Sequence, residues 1–271
     1  MAAVDQVTSE IEQALVAHWS YLGRWSQGAL VEELGTLRYE TPVAQLPYNG
    51  VIRTHIPSDN ADEAINLVVG SFEKRAVPFL WWEHPSASPG DLGPRLERHG
   101  LSPVEHVTGM SIELDEWSPD RRRSTVDYVE VLGHKELNDY GELIGSYWEL
   151  PPEAQALVEE LNRFWGPGIV PAHRWVAYAD QQPIGKALLS LAGSPGVAAI
   201  YGMSVRPEAR GQGVARGLTT TLLQRAKQLG CRRVVLHSSE MAVALYRNAG
   251  FINRCQLTVY ATQQIWSGDS H

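Results

Sequence analysis

From Gly213 to Gly230 apolar side chains recur at Val214, Leu218, Leu222, Ala226 and Leu229, the spacing of one helix face, and Gly230 supplies a C-terminal stop. Ahead of this helix, RWVAYAD and QQPIGKALLSLA flank a turn at Gln181 to Pro183 and predict a β-hairpin, and AAIYGMSV predicts a third strand. Behind it, RRVVLH reads as a short buried strand, EMAVALYRNA as a second helix closed by Gly250, and CQLTVYA as a last strand. Upstream, ELNDYGELIGSYW and PEAQALVEELNRFW carry helical patterns.

The first half repeats the later part of this succession. GVIRTHI predicts a strand, ADEAINLVVGSFEKRA a helix, PFLWWEH a strand, PGDLGPRLERHG a helix ending at Gly100, and HVTGMSIEL a strand. Gly100-Leu101 stands 150 positions before Gly250-Phe251, and at the same offset NADEAI, residues 60–65, falls opposite RGQGVA, residues 210–215. The pattern is that of an internal duplication, with domains expected at 1–120 and 121–271. Two halves built alternately from strands and helices place the chain in the α/β (α+β) class.

Charge separates the halves. Residues 1–120 hold 7 basic and 18 acidic side chains and residues 121–271 hold 16 and 13, so net charges of −11 and +3 make up the chain's −8. A polyanionic ligand is expected on the second half. The only concentrated basic run, Arg121 to Arg123, is too short for general nucleic-acid binding. Two cysteines, Cys231 and Cys255, exclude a disulfide framework and a four-cysteine zinc site. Asp5, Glu10 and Glu12 stand where a secretory leader needs a basic start and an apolar run, and no stretch of about 18 apolar residues follows. A cytoplasmic protein with no membrane span is the expectation.

Residues 205–218, VRPEARGQGVARGL, put Gly211 and Gly213 directly before the helix. A helix that starts at a glycine turn offers unpaired N–H groups and the positive end of its dipole to phosphate, although two glycines also serve simply to shape a turn. The duplicated copy bears on the choice. Its equivalent turn has no glycine and carries Asp62 and Glu63, which suit a helix start by themselves and repel phosphate, whereas the second copy sets its glycines beside Arg206, Arg210 and Arg216. Neither common phosphate motif is present. The dinucleotide fingerprint fails at its third glycine, which is Arg216, and no G-x-x-x-x-G-K-[ST] occurs. H-E-x-x-H and G-x-S-x-G are absent as well, so no metal ion is expected.

Arg210-Gly211-Gln212-Gly213-Val214-Ala215 resembles the [QR]-x-x-G-x-[GA] signature of the GNAT superfamily of acyl-CoA N-acyltransferases, and ALYRNAGF is similar to its recurring Tyr-x-x-x-Gly-Phe ending. The resemblance covers about residues 121–260, with the first half as a degenerate copy, and implies two tandem GNAT-like mixed-sheet domains with flanking helices. It implies acetyl-CoA as co-substrate. Arg210, Gly211, Gln212, Gly213, Val214 and Ala215 would cradle its pyrophosphate, and the strand ending at Met203, Ser204 and Val205 would pair with its pantetheine arm and polarise the thioester carbonyl. Tyr246 matches the family's acid for the departing thiolate, while the first half has Leu96 at that place. Ser239 stands where many members have a pantetheine-binding asparagine.

No acidic residue on AIYGMSV serves as general base; His237, Glu240 and relayed water are the candidates. Tyr140, Tyr147, Trp148, Trp165 and Trp175, with Glu142 and Glu149, occupy the segment that lines the acceptor pocket in the family, and carboxylates beside aromatics suit a cationic amine. These observations lead to transfer of an acetyl group to a primary amine of a small molecule by direct attack, by a monomer or homodimer. The alternatives are a non-catalytic acyl-CoA sensor and an interaction scaffold.

Overall fold

The computed structural model describes residues 4–119, 125–148, 150–166 and 170–262, except the side chains of 145–148. The elements in order are α1 (Gln6–Ser20), β1 (Ala29–Glu33), β2 (Thr36–Glu40), β3 (Gly50–Thr54), α2 (Ala61–Lys74), β4 (Leu80–Glu83), α3 (Leu92–Arg98) and β5 (Leu101–Glu113). They continue with β6 (Asp127–Glu130), α4 (His134–Trp148), α5 (Pro152–Phe164), β7 (Ala172–Ala179), β8 (Gln182–Ser190), β9 (Val197–Val205), α6 (Val214–Gln228), β10 (Arg233–Ser239), α7 (Val243–Asn248) and β11 (Ile252–Thr262). The mixed α/β class read from the sequence holds. The helices and strands predicted from periodicity all form, and α1, β1, β2 and β6 are additional.

Two compact units result, Met1–Thr108 with Cys255–His271, and Gly109–Arg254. They differ from two consecutive halves in their last strands: most of β11 belongs to the first unit and the end of β5 to the second.

In the first unit β1, β2 and β3 run antiparallel, and α2 carries the chain over to β4, which lies parallel to β3. β11 then pairs antiparallel with β4, matching Thr258 with Glu83 and Tyr260 with Trp81. The core holds Val51, Ile65, Phe72, Trp81, Leu92, Leu96 and Tyr260. α1 is capped by Asp5, whose carboxylate accepts from the N–H groups of Val7 and Thr8 at 2.9 and 3.1 Å.

The second unit repeats the plan. β6, β7, β8 and β9 are successively antiparallel, and α6 crosses over to β10, which is parallel to β9. The face under α6 and α7 is apolar, with Trp175, Ala187, Ile200, Leu218, Leu222, Leu236, Tyr246 and Phe251. On the other face α4 packs Tyr140 and Leu143 against Val131, Val176 and Tyr178. The apolar stripe of α6 is buried as expected at Val214, Leu218, Leu222 and Ala226. Leu229, counted in that stripe, is instead 39% exposed, because the helix ends at Gln228 and Leu229 lies beyond the face that meets the sheet.

β11 contributes Leu257, Val259, Tyr260 and Ala261, each 5% exposed or less. Burying the three larger side chains is worth roughly 1.5–3 kcal/mol each, which in sum rivals the whole stability of an ordinary domain, about 5–15 kcal/mol. Truncation after Arg254 is therefore expected to unfold the first unit, read as rapid proteolysis within residues 1–108 under conditions in which the full chain resists.

Candidate functional site

The parallel ladder between β9 and β10 runs from Val197–Arg233 to Ile200–Leu236 and stops. β9 nevertheless continues to Val205, paired on its other side with β8. Tyr201 and His237, the first residues beyond the last pair, stack across the opening at 6.0 Å and 15°.

Along this unpaired stretch β9 carries a bulge. Lys186 is matched with Ser204 and Leu188 with Tyr201, so Ala187 alone faces both Gly202 and Met203. Gly202 takes φ +58°, in the left-handed region that a side chain disfavours, and it is exposed. The N–H of Arg206 donates to Ile184 O at 2.9 Å, so residues 206 and 204 turn their backbone groups toward β8. By the alternation of a strand, Met203 and Val205 turn theirs to the side that β10 has left.

The chain then enters the glycine loop. Gly211 has φ +74° and Gly213 φ +84°, and Gly213 is the N-cap of α6 with no side-chain cap. The first bond of that helix is Gly217 N–H to Gly213 O, so the N–H groups of Val214, Ala215 and Arg216 precede the intrahelical ladder. A Cβ added to Gly211 would meet nothing within 4 Å, and one on Gly213 would come within 3.0 Å of Arg216 Nη2. The loop is thus bare backbone facing open space. It borders a cleft of about 1170 Å³ whose wall includes Arg210, Gly211, Gly213, Arg216 and Arg254, together with Leu245 and Gly250. Gln212 turns back, its Nε2 donating to Glu208 O at 2.9 Å.

Several other predicted residues are placed differently. Arg206 does not join the loop: its Nε donates to Pro183 O at 2.8 Å and its guanidinium pairs with Glu142. That pairing also takes up the Glu142 carboxylate. Trp175 lies in the core under α6, and Trp165, half-buried, caps the end of α5. Glu149 and the side chains of Tyr147 and Trp148 fall outside the described residues. Tyr246 is 5% exposed, its ring edge-on to Phe251 at 5.7 Å, and burial holds its phenol well above the ordinary tyrosine range. Ser239 ends β10, and Glu240 is exposed in the turn that follows.

Sequence reasoning missed a group of buried cations on the α4 face. Arg174 is 4% and Lys186 7% exposed, and they lie 5.0 and 5.1 Å from the centre of the Tyr140 ring. Lys186 Nζ donates to Gly202 O at 2.8 Å, and Arg174 Nη1 donates to Asn162 Oδ1 at 2.6 Å. Burial, aided by Arg174, draws the Lys186 pKa down to about 8. The signal was present as a lysine in the middle of an otherwise apolar strand.

In the first unit the turn equivalent to the glycine loop is filled from within. Asp62, in the first turn of α2, pairs with Arg95, with Arg98 at 3.5 Å and with His99 at 3.2 Å. Among the described residues no three His, Cys, Asp or Glu side chains gather as a metal site, and no helix is long and apolar enough to cross a membrane.

Comparison with known proteins agrees with this geometry. The Acetyltransferase (GNAT) family matches residues 137–251. A mycothiol acetyltransferase from Geodermatophilus obscurus is 26% identical over 190 residues, which are 64% of this chain and 60% of that protein; the match spans about three fifths of the relative's length. Among solved structures, a GCN5-related N-acetyltransferase from Kribbella flavida superposes with a TM-score of 0.69 at 15% identity, covering 93% of this chain and 95% of that one. A tandem GNAT protein from the clavulanic acid biosynthesis pathway gives 0.61 at 15% identity, covering 94% and 93%. The fold is that of the tandem GNAT proteins, and residues 137–251, within the second unit, match the Acetyltransferase (GNAT) family.

Proposed function

We propose that the second unit transfers an acetyl group from acetyl-CoA to a primary amine of a small molecule by direct attack. The observation that carries this reading is the open edge of β9 beyond Ile200, running into the uncapped start of α6. Acetyl-CoA supplies the activated acyl group. The N–H groups at Gly211 to Ala215 hold its pyrophosphate, with Arg210 and Arg216 adding charge, and the backbone of Met203 and Val205 pairs with the pantetheine amides. The hydroxyl of Ser239 completes that contact.

The Met203 N–H is aimed at the opening and receives the charge that develops on the thioester oxygen. The amine nitrogen forms its bond to the acyl carbon as the C–S bond breaks. The departing thiolate takes a proton from Tyr246, whose burial keeps it protonated throughout the physiological range, and the surplus proton of the amine, relayed through water, restores the phenol. The buried cations of the α4 face favour the neutral, nucleophilic form of that amine. The likeness to a mycothiol acetyltransferase supports a small-molecule acceptor. The first unit, its turn filled by Asp62, binds no coenzyme.

Calorimetric titration with acetyl-CoA is expected to give one site per chain. Gly213→Glu, which sets a carboxylate on the loop, is expected to weaken binding by at least tenfold while leaving a cooperatively folded protein; two sites, or unchanged affinity, would remove the loop assignment. Tyr246→Phe is expected to retain acetyl-CoA affinity within twofold and to lower CoA release in the presence of an amine acceptor by roughly 100-fold, the lower end of what a general acid contributes. Full turnover in that variant would show that Tyr246 is not the acid. A wild-type protein that binds one acetyl-CoA and acetylates none of a broad amine panel would favour the sensor.

A further inference from the structure

Lys186 is a buried cation with no anion. Among the described residues neither it nor its neighbour Arg174 forms an ion pair, yet both are more than nine-tenths buried. Taking an ammonium out of water costs several kcal/mol, and a second cation alongside adds to that cost. What Lys186 obtains in return is specific: one hydrogen bond, 2.8 Å long, to the carbonyl of Gly202, and the face of the Tyr140 ring.

That carbonyl belongs to the same peptide unit as the Met203 N–H. A trans peptide is planar and its C=O and N–H point in opposite directions, so a carbonyl drawn toward Lys186 sends the N–H away from it. The register independently places the Met203 N–H on the open side of β9. Resonance within the unit links the two ends. An ammonium on the oxygen withdraws density from the nitrogen and makes its N–H a stronger donor, the cooperativity of a hydrogen-bond chain. Resting on the acetyltransferase reading, we infer that Lys186 is a positioning residue that fixes the bulge at Gly202 and polarises the Gly202–Met203 peptide, so that its charge reaches the thioester oxygen through a single peptide bond.

The surroundings fit this role. Gly202 has no side chain to shield its carbonyl, and a Cβ there would lie 3.4 Å from the Tyr140 hydroxyl and 3.5 Å from Lys186 Nζ. Among the described residues the charged and titratable groups that face Lys186 are Arg174 from β7 and Tyr140 from α4, and β9 presents the Gly202 carbonyl. Among the described residues no carboxylate pairs with the ammonium.

The test reads the carbonyl directly and needs no acceptor. Acetyl-CoA carrying 13C at the thioester carbon is bound to the full-length protein, and its signal is compared with that of the free compound. The wild type is expected to move it downfield. Lys186→Met, of similar length, is expected to lose at least half of that displacement and to reduce the preference for acetyl-CoA over CoA roughly three- to tenfold, the worth of one hydrogen bond, with CoA affinity itself within twofold of wild type. Lys186→Arg, which stays charged at every accessible pH, is expected to restore most of the displacement. As pH rises through about 8, where Lys186 loses its proton, the wild-type signal is expected to return toward the free position while that of Lys186→Arg stays put.

A carbonyl signal in Lys186→Met equal to wild type would overturn the inference. So would a parallel loss of affinity for CoA and acetyl-CoA, the mark of a merely structural lysine. A wild type that binds no acetyl-CoA would remove the inference together with the reading of the cleft, whereas an unchanged signal in Lys186→Met alone leaves that reading intact.

Discussion

Everything at the site depends on the parallel ladder between β9 and β10 ending four pairs after it begins, at Ile200 and Leu236. A strand that keeps its neighbour presents no free amides, and one that loses it in water presents amides already hydrated. Here β9 stays paired with β8 for five further residues, through the bulge at Gly202, so that it keeps a partner on one side only. Extended ligands with amides of their own are recognised by strands in this condition. The stack of Tyr201 on His237 bridges the first step of the opening with rings in place of backbone bonds.

The electrostatics follow from where the chain goes next. Leaving β9, it folds Arg206 back onto β8 and α4, then exposes two glycines and the uncapped start of α6 to the cleft. Charge is thus sorted by face. Arg210 and Arg216 serve the loop, whereas Arg206, Arg174 and Lys186 serve the face under α4, where the carboxylate of Glu142 is already engaged. That face buries two cations and a tyrosine in the segment where the sequence suggests carboxylates beside aromatics. A positive surrounding disfavours an ammonium and favours a free amine, which is the form able to attack a thioester.

How much of this was legible in the sequence depends on whether a residue's role is local. The α6 stripe, the β7–β8 hairpin and the stops at Gly100 and Gly250 were readable because periodicity and left-handed glycines act within a few residues. α1 escaped notice because its buried face includes Glu10, Glu12 and His18, polar residues satisfied only by the fold; Glu12, for instance, accepts from Ser86 N–H at 3.0 Å. β1 and β6 have no buried residue, and β6 alternates only between exposed and half-buried over four positions, too weak and short a signal to read. The exchange of last strands was invisible for another reason: β5 and β11 each close a copy in sequence, and which parallel pair each lies beside is decided by contacts far along the chain. The loop was legible through its glycines, but the bulge at Gly202 was not, although a glycine inside an apolar strand is the mark of one. The role of Lys186 was not legible, because its partners, Tyr140 and the Gly202 carbonyl, are distant in sequence.

The two copies make the relation between scaffold and chemistry concrete. Both cross from one strand to a parallel neighbour through a helix, and both close the following helix at a left-handed glycine. In the first, the helix start is neutralised by Asp62 and clamped by Arg95 and His99. In the second the same N-terminal field has no side-chain cap to answer it. A carboxylate in the chain and a phosphate in solution answer one electrostatic demand, and the copy that answers it internally gains local ion pairs by giving up a site. The two copies therefore differ at one turn, where Asp62 brings its own negative charge to the helix start and Gln212, at the matching position, brings none.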